Sequence, residues 1–285
     1  MLVTPFEAGG GISLRDLYRL IDFVLAAEPA GVAALGLAGE ATWLSPDERV
    51  ALSRAILEAV RGVPTIVGCS ASTTDECLRF AAAAVESGAA AVMVAPPSQS
   101  EWDADLLFEH YIAVDSAIAP VPLMVQDAPD FLGVELGAGF ISRLRQVAPN
   151  AYLAKPEGLP AAETVAAISE IGGTTVFGGY GGLHAIDVYE AGAVGMIPGC
   201  EIPTHHVGVA DAYFTGDCER ARQRYREILP LLVAEFQGLD HYIVACKLVL
   251  MEQGVLSSAY SRAPGRVSQF GEQLLLRHLR AIPGP

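Results

Sequence analysis

The stretch "PTIVGCSASTTDECLRFAAAAVESGAAAVMVAPP", residues 64–97, places two apolar runs on either side of an amphipathic segment. The runs at 64–69 and 90–97 are continuously apolar rather than alternating, which is typical of strands buried on both faces of a parallel sheet. Between them, Thr73 is followed three residues later by Glu76, the residue pair of a helix-capping box. The stretch therefore predicts a strand, a crossover helix and a second, parallel strand.

This unit recurs along most of the chain. Eight apolar runs alternate with helical patterns; they are LVTPF (2–6), GVAALG (31–36), PTIVGC (64–69), AAVMVAPP (90–97), VPLMVQDAP (121–129), AYLAK (151–155), TTVFGG (174–179) and AVGMIPG (193–199). Eight such units predict an α/β fold, a closed (β/α)8 TIM barrel, which typically takes about 250 residues. An open doubly wound sheet is the alternative, but no glycine-rich nucleotide motif follows the first run.

From about residue 205 onward the pattern is helical only. We therefore expect a barrel over residues 1–204 and a C-terminal helical extension of the same domain over residues 205–285. No linker or low-complexity stretch divides the two.

Composition narrows the class of function. A formal net charge of -15 disfavours nucleic acid and anionic membrane surfaces as partners, so a small-molecule substrate is expected. The N-terminus lacks a signal-peptide pattern and no window resembles a membrane span, which predicts a cytoplasmic protein. Five cysteines without a CxxC pair favour reduced core residues over a disulfide framework or a zinc site.

Lys155 is one of only two lysines in the chain, against sixteen arginines. It closes the run AYLAK, and the C-terminal ends of barrel strands are where active sites form. In an apolar barrel mouth, desolvation is expected to lower the pKa of a lysine and free its amine as a nucleophile, whose natural chemistry is a Schiff base with a carbonyl. The other lysine, Lys247, lies within a helical pattern, which favours a structural role.

The turn "GLAGE", residues 36–40, follows the second run and precedes a helix that begins with a capping box at Ser45 and Glu48. Small residues in such a turn let backbone N–H groups approach an anion such as a substrate carboxylate. Glycines after a strand also simply make the turn, so this signal alone is weak.

Together, LVTPF, the G-x-x-G-E turn with the following LSPDER, the run AAVMVAPP and the strand-closing Lys155 resemble the dihydrodipicolinate synthase and N-acetylneuraminate lyase family. The similarity extends in order over nearly the whole chain. It implies a (β/α)8 barrel, a homo-oligomer, usually a tetramer, and a Schiff base between Lys155 and a 2-oxo acid.

The chain departs from the best-known members of that family. Leu37 and Ala38 replace a threonine pair, and Gln126 and Asp127 replace a Tyr-Asn pair. Tyrosines and an arginine of dihydrodipicolinate synthases have no counterpart, the matching positions being Pro97, Ser98 and Phe131. MVQDAP and the Lys-x-Glu of Lys155 and Glu157 instead resemble the dehydratase branch, whose substrates are 2-keto-3-deoxy sugar acids such as L-2-keto-3-deoxyarabonate.

The resulting hypothesis is a Schiff-base lyase that dehydrates a 2-keto-3-deoxy sugar acid. The alternatives are an aldolase or lyase that releases pyruvate, and a barrel that binds a 2-oxo acid without turnover. For Asp127, catalysis and the capping of a turn remain equally open, and Glu40 either contacts substrate or orients the turn from behind. No cofactor is expected, and adjacent His205 and His206 do not predict a metal site. The candidate residues are Lys155, Gln126 and Asp127 for catalysis, and Gly36, Leu37, Ala38, Gly39, Glu40, Glu157, Gly179 and Gly195 for substrate binding.

Overall fold

Seven parallel strands form a single sheet in the computed structural model, which describes residues 1–97 and 103–284. Each strand pairs with the next one along the chain, so the strand order is the sequence order. The strands are β1 (Val32–Ala34), β2 (Thr65–Gly68), β3 (Ala91–Val94), β4 (Leu123–Asp127), β5 (Leu153–Pro156), β6 (Thr175–Gly178) and β7 (Gly195–Met196). Together with the alternating helices, this arrangement is the predicted (β/α)8 barrel.

The first predicted strand, LVTPF, is the one departure from the expected eight. The segment lies between β1 and β7, where the Leu2 N–H donates to the Ala33 carbonyl at 2.7 Å and the Met1 amine to the Pro198 carbonyl at 2.6 Å. One bond to each neighbour does not make a regular ladder, and Pro5 has no N–H to extend it. The segment still joins the first and last strands and closes the ring.

Twelve helices lie in the described part of the chain. Those of the barrel are α1 (Leu14–Leu25), α2 (Pro46–Ala59), α3 (Thr74–Glu86), α4 (Ala104–Ile118), α5 (Pro129–Leu132), α6 (Gly137–Arg145), α7 (Ala161–Ser169) and α8 (Ala185–Glu190). Those that follow β7 are α9 (Pro203–Phe214), α10 (Cys218–Glu235), α11 (Leu239–Glu252) and α12 (Gln269–Ala281). Both predicted caps are present: Ser45 and Glu48 exchange the two capping-box bonds, and the Thr73 hydroxyl accepts from the Glu76 N–H.

Apolar side chains pack in two groups. The larger group fills the space between the strands and the surrounding helices. The smaller one lies inside the barrel, where its four buried members are Ala33, Met93, Met124 and Ile197. Because the barrel interior is packed with side chains, a ligand has room only at its mouth.

The helices after β7 cover part of that mouth.

Within the described ranges, no single helix has the length and hydropathy of a membrane span. Helices α10 and α11 meet these two criteria only when they are taken together, across a 119° bend.

Candidate active site

Lys155 lies at the end of β5, directly opposite Gln126 of β4 in the strand register. Its side chain is almost fully buried, and Nζ is 2.5 Å from Oε2 of Glu157. The continuously apolar run that precedes it keeps β5 inside the sheet, so the amine emerges at the barrel mouth. The predicted nucleophile therefore has a carboxylate as its immediate neighbour.

Glu157 is almost fully buried, and its carboxylate makes the ion pair with Lys155 and accepts two hydrogen bonds. The Gln126 amide donates to Oε2 at 2.6 Å, and the Tyr180 N–H donates to Oε1 at 2.9 Å. Burial acts to raise the pKa of Glu157, but the Lys155 charge and these donors outweigh it and hold the pKa below its ordinary value. Glu157 is therefore an ionised carboxylate beside the amine.

A cavity opens above these three side chains. Its space, including the open mouth, is about 370 Å³. The lining residues are Met1, Leu37, Ala38, Gln126, Phe131, Lys155, Glu157, Gly181, Ile197, Pro198, Phe236, Leu239 and Tyr242. The polar groups of this cavity converge on one end, while most of the remaining wall is apolar, the usual character of a small-molecule site.

Aromatic rings form one wall of the cavity. Phe236 lies 5.0 Å from Tyr180 and 4.8 Å from Tyr242, and Phe131 lies 5.2 Å from Tyr180, measured between ring centroids. The Tyr180 hydroxyl donates to Asp130 at 2.7 Å, and burial together with this carboxylate raises the pKa of Tyr180. Such a wall excludes water from the amine, which strengthens electrostatic interactions within the cavity.

The turn after β1 contributes Leu37 and Ala38 to the same cavity. It is a 3-10 turn over Leu37–Gly39, and the N–H groups at the start of such a turn have no partner within it. Both residues line the same cavity as Lys155. The role of the turn in holding an anion stays a prediction.

Glu40 does not line the cavity, so the structure does not place it for the substrate contact that is one of its two expected roles. Its carboxylate is fully buried and accepts from the Ser261 hydroxyl at 2.7 Å and from the N–H groups of Arg262 and Ala263 at 2.7 and 3.0 Å. It also forms an ion pair with Lys247. The carboxylate therefore fastens the chain after α11 to the turn, and the alternative in which Glu40 orients the turn from behind is the one that the contacts support.

Asp127 likewise points away from the cavity. Its two carboxylate oxygens accept from the Leu136 N–H at 3.1 Å and the Gly137 N–H at 2.8 Å. Burial raises the pKa of Asp127 against the opposing effect of these donors. The reason is strand geometry: Gln126 faces the barrel mouth, so its neighbour faces the helices. Asp127 thus has the turn-capping arrangement rather than the catalytic one.

None of the four glycines predicted to bind substrate lines the cavity. Gly36 packs against the side chains of Met1 and Met93, and the Gly39 carbonyl accepts from the Thr4 hydroxyl at 2.6 Å. A Cβ at Gly179 would be 2.2 Å from Oε1 of Glu157, so this glycine makes room for the carboxylate. Gly195 lies against the ring of Phe177 instead.

Sequence patterns missed the contribution of the helices after β7. Phe236, Leu239 and Tyr242 come from α11 and the segment before it, and no strand-end rule identifies them. Lys247, predicted to be an ordinary structural lysine, is structural but completely buried. The Ser98 position, used in the family comparison, lies outside the described residues.

Comparison with known proteins agrees with this geometry. The model of the dihydrodipicolinate synthetase family matches residues 1–278. The chain belongs to the dihydrodipicolinate synthetase family. L-2-keto-3-deoxyarabonate dehydratase of Azospirillum brasilense is 34% identical over 269 residues, covering 92% of this chain and 85% of that protein.

Other members of the family are similarly related over the whole length. The 4-hydroxy-tetrahydrodipicolinate synthase of Bifidobacterium longum (strain DJO10A) is 28% identical over 92% of this chain and 86% of its own. The crystal structure of dihydrodipicolinate synthase from Rhodopseudomonas palustris superimposes with a TM-score of 0.90 at 27% identity, covering 98% of this chain and 95% of that one. The present chain is accordingly a lyase of this family with a TIM-barrel fold.

Proposed function

We propose that the protein dehydrates a 2-keto-3-deoxy sugar acid through a Schiff base on Lys155. The observation that supports this most directly is the buried group of Lys155, Glu157 and Gln126 at the floor of the cavity. An amine, a carboxylate in contact with it and an amide donor are the groups that imine formation and proton transfer require.

The reaction begins when the unprotonated Nζ of Lys155 attacks the C2 ketone. The carbinolamine hydroxyl takes up a proton from water at the cavity mouth and leaves as water, which gives a protonated imine that draws electrons from C3 and acidifies its hydrogens. Glu157 lies 2.5 Å from Nζ and is ionised, so it is the group placed to accept a proton from C3. The product of this step is an enamine.

The enamine then expels the hydroxyl on C4. Its electron pair forms the C3–C4 double bond as the C4–O bond breaks, and a proton delivered to the departing oxygen completes the loss of water. Protonated Glu157 returns that proton, which restores its carboxylate. Hydrolysis of the unsaturated imine releases the product and frees Lys155.

Two further contacts position the substrate. The backbone amides of Leu37 and Ala38 hold the C1 carboxylate of the substrate. The Gln126 amide, which donates to Glu157, keeps the Glu157 carboxyl group oriented toward the reacting carbons. Gln126 carries no acidic hydroxyl, and Leu37 and Ala38 bring no hydroxyl side chains to this end of the cavity. Proton transfer therefore depends on Glu157.

We prefer a dehydratase to an aldolase or a synthase because of this set of polar groups and because of the 34% identity with the Azospirillum brasilense dehydratase. We also infer a cytoplasmic homo-oligomer, a tetramer or dimer, from the family resemblance. Light scattering of the purified protein tests its assembly.

The chemical test is borohydride trapping with L-2-keto-3-deoxyarabonate, followed by intact mass and peptide mapping. The chain has two lysines, so an adduct on Lys155 is readily distinguished from one on Lys247. We expect an adduct on Lys155 that weighs one water less than the reduced substrate imine, and none in Lys155→Ala. A pyruvate-sized adduct would assign the protein to the aldolases, and the absence of any adduct with this acid or pyruvate would refute the Schiff-base proposal.

A further inference from the structure

A group of buried side chains of the types that ligate metal ions lies outside the cavity, just behind its wall. Cys200 and Glu201 follow β7, and Cys246 belongs to α11. The two sulfur atoms and a carboxylate oxygen of Glu201 all lie within 4.8 Å of one another, and all three residues are buried. The proposed dehydration uses none of them.

We propose that Cys200, Glu201 and Cys246, with His206 as the fourth ligand, bind a divalent transition-metal ion of the zinc class. The donor atoms of Cys200, Glu201 and Cys246 lie within 4.8 Å of one another, compared with about 4 Å between tetrahedral ligands whose metal–sulfur bonds are about 2.3 Å. Small side-chain shifts would bring these three donors and the His206 nitrogen onto a single ion.

His206 provides an observation independent of the three-residue cluster. Its Nε2 lies 3.8 Å from Oε1 of Glu201, beyond hydrogen-bond distance, and makes no hydrogen bond to any described residue. The Cε1 edge of the ring is held against Gly182, where a Cβ would be 2.7 Å from Cε1. The His206 side chain is only 8% exposed, and its Nε2, which makes no hydrogen bond, faces Oε1 of the fully buried Glu201 at the edge of the cluster.

A carboxylate oxygen of Glu201 without a hydrogen-bond donor also supports a bound ion. Oε2 of Glu201 accepts from the Cys246 thiol at 3.1 Å, but Oε1 has no donor among the residues described. Buried polar atoms without partners are costly. A metal dication would satisfy Glu201 Oε1 and His206 Nε2 together, and the two cysteine thiols would release their protons as they bind it.

The donor set selects the class of ion. Two thiolates and an imidazole favour Zn²⁺ and similar borderline metals, whereas Mg²⁺ and Ca²⁺ prefer oxygen ligands only. Four protein ligands leave no open position, which is characteristic of a structural rather than a catalytic site. The ion would fasten α11 and α9 to the end of β7.

The site adjoins the cavity wall. A Cβ at Gly199 would lie 2.0 Å from Oε2 of Glu201 and 2.1 Å from the hydroxyl oxygen of Tyr242, so these two groups occupy neighbouring space. Tyr242 lines the cavity and packs against Phe236. Binding of the ion would therefore hold the aromatic wall in place.

This inference departs from the sequence prediction of no metal site, which rested on the missing CxxC pair and on the adjacency of His205 and His206. The local part of the set, Cys200, Glu201 and His206, lies within seven residues, but its completion by Cys246 requires the packing of α11 on the barrel.

Cobalt titration of the full-length protein tests the proposal. Co²⁺ replaces Zn²⁺ in tetrahedral sites, and its bonds to thiolate produce a charge-transfer band in the near ultraviolet. With the thiols kept reduced by a phosphine, we expect this band to saturate at one Co²⁺ per chain and to disappear when Zn²⁺ is added. Zn²⁺ should also raise the thermal unfolding midpoint of the protein.

Variants then locate the site. Cys200→Ser and Cys246→Ser should lose the band, and His206→Gln should bind Co²⁺ more weakly while keeping both thiols. Cys77→Ser, which removes a buried cysteine from α3, is the matched control and should retain it. Absence of a thiolate band in the wild-type protein would overturn the proposal whatever the folding of the variants, as would a band unchanged in a folded Cys200→Ser protein.

Discussion

Lys247 forms a fully buried ion pair with Glu40, which precedes it by 207 residues. The Lys247 amine also donates to the Tyr260 carbonyl at 2.9 Å and lies 4.5 Å from the ring centroid of Phe6. Burial lowers the pKa of Lys247, and the Glu40 carboxylate opposes this effect. The pair therefore joins α11 to the turn that presents Leu37 and Ala38 to the cavity.

Removal of one partner from this pair should be strongly destabilising. In Lys247→Met the Glu40 carboxylate remains buried without its counter-charge, and we expect a loss of about 3–5 kcal/mol in the free energy of unfolding. Urea denaturation measures it. The double variant Glu40→Gln with Lys247→Met should recover part of the loss, and equal stability of the single variant and wild type would contradict a structural role for the pair.

Glu157→Gln should separate imine formation from proton transfer. The amide preserves size but removes the base, so we expect kcat to fall by about 10² to 10⁴. Borohydride should still trap pyruvate on Lys155, because the nucleophile is retained. Steady-state kinetics and intact mass provide the two measurements. A Glu157→Gln protein with wild-type kcat would exclude the carboxylate as the proton carrier.

Asp127→Asn is the matched control on the neighbouring strand. Its side chain retains one oxygen acceptor for the Leu136 and Gly137 amides and does not line the cavity. We expect kcat within about two-fold of wild type, since residues away from reacting atoms have small effects on activity, and a lower unfolding midpoint because one N–H loses its acceptor. A kcat loss as large as that of Glu157→Gln would restore Asp127 as a catalytic residue.

Gly179→Ala should damage the site through packing. The added Cβ would lie 2.2 Å from Oε1 of Glu157, which forces the carboxylate away from the Lys155 amine. We expect a loss of kcat that follows the displaced base, with Schiff-base trapping slowed as well. Gly139→Ala, where an added Cβ meets no atom within 4 Å, is the control and should have little effect on kcat.

His110 predicts a pH dependence of stability. Burial lowers the pKa of His110 to about 4, and the unfolded value is near 6.5. Between these values the unfolded chain binds a proton that the folded one excludes, so the contribution is complete above pH 6.5 and declines as the pH falls toward 4. Urea unfolding from pH 7 to 4.5 should show a smaller loss in His110→Gln than in wild type, with His278→Gln as control. Parallel pH curves for His110→Gln and wild type would refute the assignment.

The barrel and the position of Lys155 are predictable from sequence for physical reasons. Continuous apolar runs are required by strands buried on both faces, and a strand-ending lysine is placed at the mouth by the topology alone. The strand-end positions of Lys155, Gln126 and Glu157 follow from these rules, but the sequence placed Glu157 among the substrate-binding residues and not as the proposed base. The orientation of Asp127 also follows from the alternation along β4, but only once the facing of Gln126 is known.

The remaining parts depend on packing between distant segments. Glu40 satisfies the pattern of a substrate-contacting turn, yet the segment after α11 engages its carboxylate, and no local signal reveals that. LVTPF reads as a strand, but with Pro5 and one bond to each neighbour it closes the barrel without becoming one. Phe236 and Tyr242 reach the cavity because α10 and α11 meet at a sharp bend.

The residues of the cavity come from two separate parts of the chain, the strand ends and the aromatic wall. The groups proposed to make and break bonds are borne by β4, β5 and the residue just after β5, whereas Phe236, Leu239 and Tyr242 of the cavity wall come from the junction of α10 and α11. Substitutions at Phe236, Leu239 or Tyr242 can thus alter which acids fit without touching the amine or its base. A library confined to these three positions offers a direct route to changed chain-length preference on an unchanged reaction centre.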